Sequence, residues 1–436
     1  MGNKSEELLE RAKKVIPGGV NAPVRGFGDV GGSPHFVETG QGSRVFDADK
    51  LQLIDCVGSW GSMILGHAHR YVVEAVRKAA MKGFAFGAPT AGEVELAEMI
   101  VEAMPGIEKV RLVSSGTEAM MSAIRVARAA TDRDMILKFE GAYHGQIDAL
   151  LSQPGSEDRF TSTGIPQAES SLTLAVPFND LEAVRRAFNE HGGSIAAILV
   201  EPVATSMGCI PPAEGFLQGL RSICDERGAV LIFDEITTGF RVAYGGAQEL
   251  YGIRADLTTL GKIIGGGLPI GAFGGRRDLI DMVRPEGDVY QSGRHAGNPL
   301  IVAGGLSTLS ILRNGPTYND LEVRSGEFEE GVSRAADRFG IPIQFNRVGS
   351  IWTIFFARDE VTDLRSARKA NLEMFNRFFH LMLGEGVYLP PSQFESGFFS
   401  SAHARKDIQQ IVERIQLVLK RISKEFEDDL VVYERP

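Results

Sequence analysis

The sequence predicts an α/β fold: a mostly parallel central sheet with helices on both faces, joined to a smaller α+β domain. Three observations lead there. Short, nearly continuous apolar runs recur at 109–115, 134–140, 171–177, 195–201 and 229–235. Helical patterns such as TEAMMSAIRVARAA, DLEAVRRAFNEHG and EGFLQGLRSICDERG lie between most of them, the rhythm of strands buried on both faces. After about residue 310 the pattern changes to longer helical stretches at 317–338, 365–385 and 405–426 around short strand candidates in IQFNRVGSIWTIFFA.

Taken from the start of the chain, residues 5–15 predict an amphipathic helix broken by Pro17-Gly18-Gly19. HFVETG, RVFDAD and LIDCVG, between 35 and 56, predict a small antiparallel sheet. Helical spacing follows at 69–83 and 92–104. The polar stretch 151–170 is rich in Gly, Ser and Pro, and a loop of that length is either disordered or functional. The expected division is an N-terminal segment over 1–57, a large domain over 58–310 and a C-terminal α+β domain over 311–436.

Composition narrows the function. With 46 basic and 56 acidic residues the formal net charge is −10, which argues against nucleic acid, whose phosphates need clustered Lys and Arg. A small anionic substrate needs only one or two local cations and stays open. Cys56, Cys209 and Cys224 are scattered; neither a disulfide framework nor a metal site is expected, and reduced thiols fit the cytoplasm. No apolar run approaches a membrane span, so neither a membrane partner nor a secretory route is expected.

Parallel sheets place ligands beyond the carboxyl ends of their strands. SSGTEA, FEGAYHG, EPVA and DEIT all fall where an apolar run ends, so their polar residues are candidates for one shared site. In TTLGKIIGGGLPIGA (258–272), Lys262 sits among glycines with apolar neighbours. A solvated loop lysine is one reading; the other is an amine deprotonated by burial and free to form an imine. Asp234 ends the run AVLIF. It fits a helix cap or the carboxylate that faces the ring nitrogen of a pyridoxal-type electron sink. The 262 − 234 = 28 residues between them leave room for another helix and strand. Ser115, Gly116 and Thr117 open a helix, as an ordinary cap or, beside Lys262 and Asp234, as a phosphate cup. Tyr143 and His144 follow the next strand, where an aromatic either packs in the core or covers a flat cofactor.

Long, distributed stretches then identify a relationship. IPGGVNAPVRGF, VGSWGSMILGH, FGAPT, SSGTEA, KFEGAYHG, DEITTGFRVA, LGKIIGGGLPIGAFGGR, FFHLMLGEGVYLPPSQFESGF and SSAH resemble the class III aminotransferases of the fold-type-I pyridoxal-phosphate enzymes. The resemblance implies pyridoxal 5'-phosphate, and its pyridoxamine form, held by Lys262 as a Schiff base. It implies Asp234 at the pyridine nitrogen, Ser115, Gly116 and Thr117 at the phosphate, and Tyr143 and His144 about the ring. Arg25 is implied for the substrate carboxylate, with Trp60, Tyr290 and Glu395 at other substrate positions. It further implies a homodimer whose 290–295 segment enters the partner's site, and a gating role for 151–170. The reaction implied is an intramolecular amino transfer from glutamate-1-semialdehyde to 5-aminolevulinate, with amine exchange between separate amino and keto compounds as the alternative. A non-catalytic protein retaining the fold is a third reading, against which the presence of both Lys262 and Asp234 speaks.

The chain departs from the family pattern in places. Ala22 stands where Ser is usual, and Gln146 where His is common. After EPVA the family continues Gly-Asn, its Asn contacting the cofactor's phenolic oxygen; here Thr205 and Ser206 follow, which makes Ser206 the candidate contact. Arg294 occupies the place of a phosphate-binding Thr. A guanidinium there grips phosphate or clamps a second carboxylate.

Overall fold

A computed structural model describes residues 3–152 and 158–426 of the 436-residue chain. The chain forms two compact units, one of residues 1–69, 319–361 and 365–436, the other of 70–318 and 362–364. The N-terminal segment is therefore part of the same unit as the C-terminal region.

The first unit opens with a helix over Asn3–Lys13 and a three-residue turn at Pro17–Gly19. Strands β1 (Val37–Gln41), β2 (Arg44–Asp47) and β3 (Gln52–Asp55) then form the expected antiparallel meander.

The second unit carries β4 (Lys109–Val113), β5 (Met135–Phe139), β6 (Thr173–Val176), β7 (Ile195–Val200), β8 (Val230–Asp234), β9 (Leu257–Gly261) and β10 (Gly271–Gly275) in one sheet of order β4-β10-β9-β8-β7-β5-β6. The pairs from β6 across to β9 are parallel, whereas β10 runs antiparallel to both β9 and β4. All five predicted apolar runs are strands of this sheet. Its central members are wholly buried, as continuous apolar strands require. The helix Gly116–Thr131 lays Met120, Ala123, Ile124 and Ala127 on Val113, Ile136, Leu199, Ile232 and Phe273, at about 1.5–3 kcal/mol for each large side chain removed from water.

One strand escaped the sequence reading. β9 fills the room left for a strand before Lys262, whereas the glycines of GAFGG disguise β10 because glycine weakens strand propensity. Packing explains that composition. A Cβ on Gly271 would stand 2.1 Å from the Ser115 carbonyl oxygen, so glycine alone lets β10 pass this close to the start of the 116–131 helix.

The remaining strands belong to the first unit: β11 (Gln344–Val348), β12 (Ile351–Phe355), β13 (Val387–Tyr388) and β14 (Gly397–Phe398). β13 joins the N-terminal meander in parallel beside β3, with Val387 opposite Ile54. β11, β12 and β14 form a separate antiparallel sheet. The Arg405–Glu425 helix buries Ile408, Ile411, Ile415, Val418, Leu419 and Ile422, an apolar stripe at helical spacing. The stretch expected as one helix over 365–385 is two, Leu364–Ala367 and Leu372–Gly384. Asn371 separates them by capping the second, accepting from the Met374 N–H at 2.9 Å.

Candidate active site

The site of the second unit gathers where β4, β5, β7, β8 and β9 end. Asp234 is the last residue of β8 and Lys262 the first after β9. These strands are parallel neighbours, with Asp234 opposite Thr259, so register brings the predicted acid and amine to adjacent strand ends. Lys262 has φ +47°, a left-handed conformation rare for a residue with a Cβ. It donates from Nζ to Thr237 Oγ1 at 2.6 Å.

Asp234 is 4% exposed. Its Oδ1 accepts from the Ile236 N–H at 3.0 Å and its Oδ2 lies 2.7 Å from His144 Nδ1. An ionised carboxylate is acceptor-only, so Nδ1 carries the hydrogen and donates. His144 Nε2 is buried with no hydrogen-bond partner among the described residues.

Ser115 is the N-cap of the 116–131 helix, its hydroxyl accepting from the Glu118 N–H at 3.2 Å. The Glu118 carboxylate answers with a bond from the Ser114 N–H at 2.9 Å. The capping reading of Ser115 thus holds in the structure; the N–H groups at Gly116 and Thr117 belong to the first turn, where helix dipole and unpaired donors favour an anion. Gly145, with φ +99°, closes over this turn, and a Cβ there would lie 2.8 Å from Thr117 Oγ1.

Tyr143 is exposed, its ring 5.1 Å from that of Phe160. Burial of its hydroxyl end still raises its pKa above the ordinary tyrosine value. Ser206 Oγ lies 3.5 Å from Glu201 Oε1, and the Ser206 carbonyl accepts from Arg159. Arg294 is exposed. Tyr290 is also exposed, and its carbonyl accepts from Arg125 at 2.7 Å.

The other predicted substrate residues are carried by the first unit. Arg25, on a short turn Pro23–Gly26, places its guanidinium 5.8 Å from the centre of the Trp60 ring, within reach of a cation–π attraction. Glu395 lies in the turn before β14, its N–H donating to the Ser392 carbonyl at 3.2 Å.

The sequence marked Glu201 only as part of the strand-end motif EPVA, and gave Lys138 and Asp158 no signal of their own. Glu201, just beyond β7, is 5% exposed; its Oε2 accepts from the Thr205 N–H at 2.9 Å and from Thr205 Oγ1 at 2.7 Å. Burial pushes its pKa up, the Asp234 charge adds to that, and His144 and the Thr205 bonds oppose it. Lys138, on β5, forms an ion pair with Asp158 at 2.6 Å, both side chains 1% exposed. Burial works against the Asp158 charge, yet Lys138 and bonds from Gly141 and Ser152 outweigh it and hold the carboxyl below its ordinary range. This pair ties the described end of the 151–170 stretch to the sheet; residues 153–157 lie outside the described residues.

A family model of class-III aminotransferases matches residues 28–419. The chain belongs to the class-III aminotransferases. Among its relatives in this family, the glutamate-1-semialdehyde 2,1-aminomutase of Geotalea daltonii is 51% identical over 414 residues, 94% of this chain and 97% of that protein. The protein called glutamate-1-semialdehyde 2,1-aminomutase 2 in Brevibacillus brevis is 49% identical over 97% of this chain and 99% of its own length. The crystal structure of an omega-transaminase from Sphaerobacter thermophilus superposes with a TM-score of 0.90 at 32% identity, covering 97% of this chain and 98% of that one. These class-III relatives agree with the α/β architecture and with the sequence resemblance.

Proposed function

We propose that this chain is a pyridoxal-phosphate-dependent aminomutase that moves an amino group within glutamate-1-semialdehyde and releases 5-aminolevulinate. The observation that carries the reading is identity of 51% over 94% of the chain with a protein named for that reaction. The local chemistry supports it. Lys262 offers an amine suited to an aldehyde, and Asp234, on the neighbouring strand end, offers a carboxylate suited to a protonated ring nitrogen. The residues therefore fit pyridoxal phosphate. When bound, that cofactor supplies an electron sink for the carbon bearing the amine.

The chain's own residues divide the remaining work. Lys262 Nζ holds and returns the proton at the reacting carbon. His144 donates to Asp234 and fixes the orientation of its carboxylate. Gly116 and Thr117 would offer backbone N–H groups to the phosphate, beside the Ser115 cap, Tyr143 would cover the ring, and Ser206 would be the candidate partner of the phenolic oxygen. By the family resemblance, Arg25 takes the substrate carboxylate, Trp60, Tyr290 and Glu395 take other substrate positions, and Arg294 adds a cation for the phosphate or the substrate. The enzyme starts from the pyridoxamine form, works in the cytoplasm and is a homodimer, whose 290–295 segment serves the partner's site. The exposed Phe84, Phe86 and Tyr290 supply apolar surface for such an interface; a monomer in sedimentation velocity would refute the dimer. No helix among the described residues is long and apolar enough to cross a membrane.

The test is product formation from the semialdehyde alone. 5-Aminolevulinate should accumulate with no amino donor added. Its absence, together with amine exchange from ordinary amino acids to keto acids, would replace the mutase with an external-donor transferase.

A further inference from the structure

A continuous set of polar contacts runs from the reactive lysine into the interior. Lys262 Nζ donates to Thr237 Oγ1 at 2.6 Å. Thr237 Oγ1 lies 3.4 Å from Thr205 Oγ1. Thr205 Oγ1 donates to Glu201 Oε2 at 2.7 Å. Thr237 is 8% exposed, Thr205 6% and Glu201 5%, so the interior part of the set is shielded from water.

We propose that Thr237 and Thr205 form a proton path between Lys262 and Glu201, and that Glu201 takes up and returns the proton of the lysine amine. The proposal rests on Lys262 being the cofactor lysine. A hydroxyl has one hydrogen, so two hydroxyls in series pass a proton only by shifting together. In one direction the Nζ–H bond breaks as Thr237 Oγ1 accepts. Thr237 then gives its own hydrogen to Thr205, and Thr205 gives its own to Glu201 Oε2. The ammonium and carboxylate become a neutral amine and a neutral acid, with no proton released to solvent; the return shift reverses each bond. Eliminating two opposite charges in a partly desolvated site favours the exchange, because burial penalises both charged forms.

The groups facing Glu201 fit this role. His144, after β5, and Asp234, at the end of β8, are the charged or titratable neighbours that act on it. Arg159 is engaged one residue beyond Thr205, at the Ser206 carbonyl. His144 already donates to Asp234, so Asp234 is committed elsewhere, and burial disposes Glu201 to hold a proton. A bland account exists: the two bonds from Thr205 to Glu201 merely staple the turn after β7. Thr237→Val separates the two accounts, since it cuts the path and leaves that staple whole.

The experiment strips pyridoxal phosphate from the holoenzyme and follows the rate at which the added cofactor regains its lysine-bound absorbance, as a function of pH. The wild type should show two steps joined by a plateau, the signature of a coupled pair. Glu201→Gln should show one step. Thr237→Val and Thr205→Val should each lower the plateau about 100-fold, the lower end of what a positioned proton acceptor contributes, and Thr205→Ser should restore it. A two-step profile in Glu201→Gln, or a wild-type plateau in Thr237→Val, would overturn the path. A wild type whose colour borohydride does not fix on Lys262 would overturn the cofactor-lysine reading, and the path with it.

Discussion

At the scale of single residues, the chemistry depends on one amine and one acid. Lys262→Ala should abolish turnover while leaving melting temperature within about 1 kcal/mol equivalent of the parent, as for a side chain outside the core. Cofactor held by the remaining contacts should carry no colour that borohydride fixes to the protein; retention of such a colour would contradict the assignment. A second residue-scale prediction concerns His403 in the first unit. Its Nδ1 lies 3.1 Å from the Ser400 N–H, which donates to it, so the neutral ring is the form that fits. Burial lowers its pKa from 6.5 to about 4. As pH falls below 6.5 the unfolded chain takes a proton that the folded chain refuses until about pH 4. Its contribution is thus complete above 6.5 and is lost across that window. Melting temperature should fall as pH drops through it, and His403→Gln should flatten the slope; identical slopes would refute the argument. Asp234 and His144 were legible as polar residues after apolar runs, and Lys262 as an amine among glycines with apolar neighbours. Glu201 and Thr237 fell in the same strand-end motifs, EPVA and DEIT, but their linkage through Thr205 was not legible, because it lies in contacts between residues up to 32 apart in sequence.

At the scale of elements, the sheet was legible wherever apolar runs were continuous and hidden where glycine replaced them, as in β10. The buried Lys138 on β5 is the clearest case of an element doing something its pattern conceals. A charge in a central strand looks like an error until Asp158 and the Leu150 carbonyl, 2.9 Å from Nζ, are beside it. Asp158→Asn leaves the ammonium buried without its counter-charge and should cost about 3–5 kcal/mol, read as the shift of the urea midpoint. A change within error would mean that Lys138 escapes to solvent. The same segment carries Phe160, which rests against Tyr143, so the variant should also loosen the cover over the cofactor ring. The 151–170 stretch read as a polar loop, disordered or functional, and nothing in its composition reveals that one of its acids is bound to the sheet.

At the scale of the whole molecule, the sequence separated a parallel-sheet region from a C-terminal α+β region, and the structure has both. What periodicity did not reveal was the return of the chain. The helical and strand patterns of 1–57 and of 311–436 are each local, whereas the β3–β13 pairing joins Ile54 to Val387, and a partner that distant leaves no mark on either segment. Membership of the class-III aminotransferases rested on motifs spread over nearly the full length, a property no single element could supply.

The placement of β13 has a consequence for synthesis on the ribosome. The 70–318 unit is contiguous but for three later residues, so nearly all of it can condense as it emerges. The opening meander has no such freedom: β3 waits with one edge unpaired until more than three hundred further residues have been translated. An unpaired strand edge invites pairing with other chains. Nascent molecules stalled before residue 387 should therefore be the species that chaperones guard, and the opening 69 residues the portion they grip.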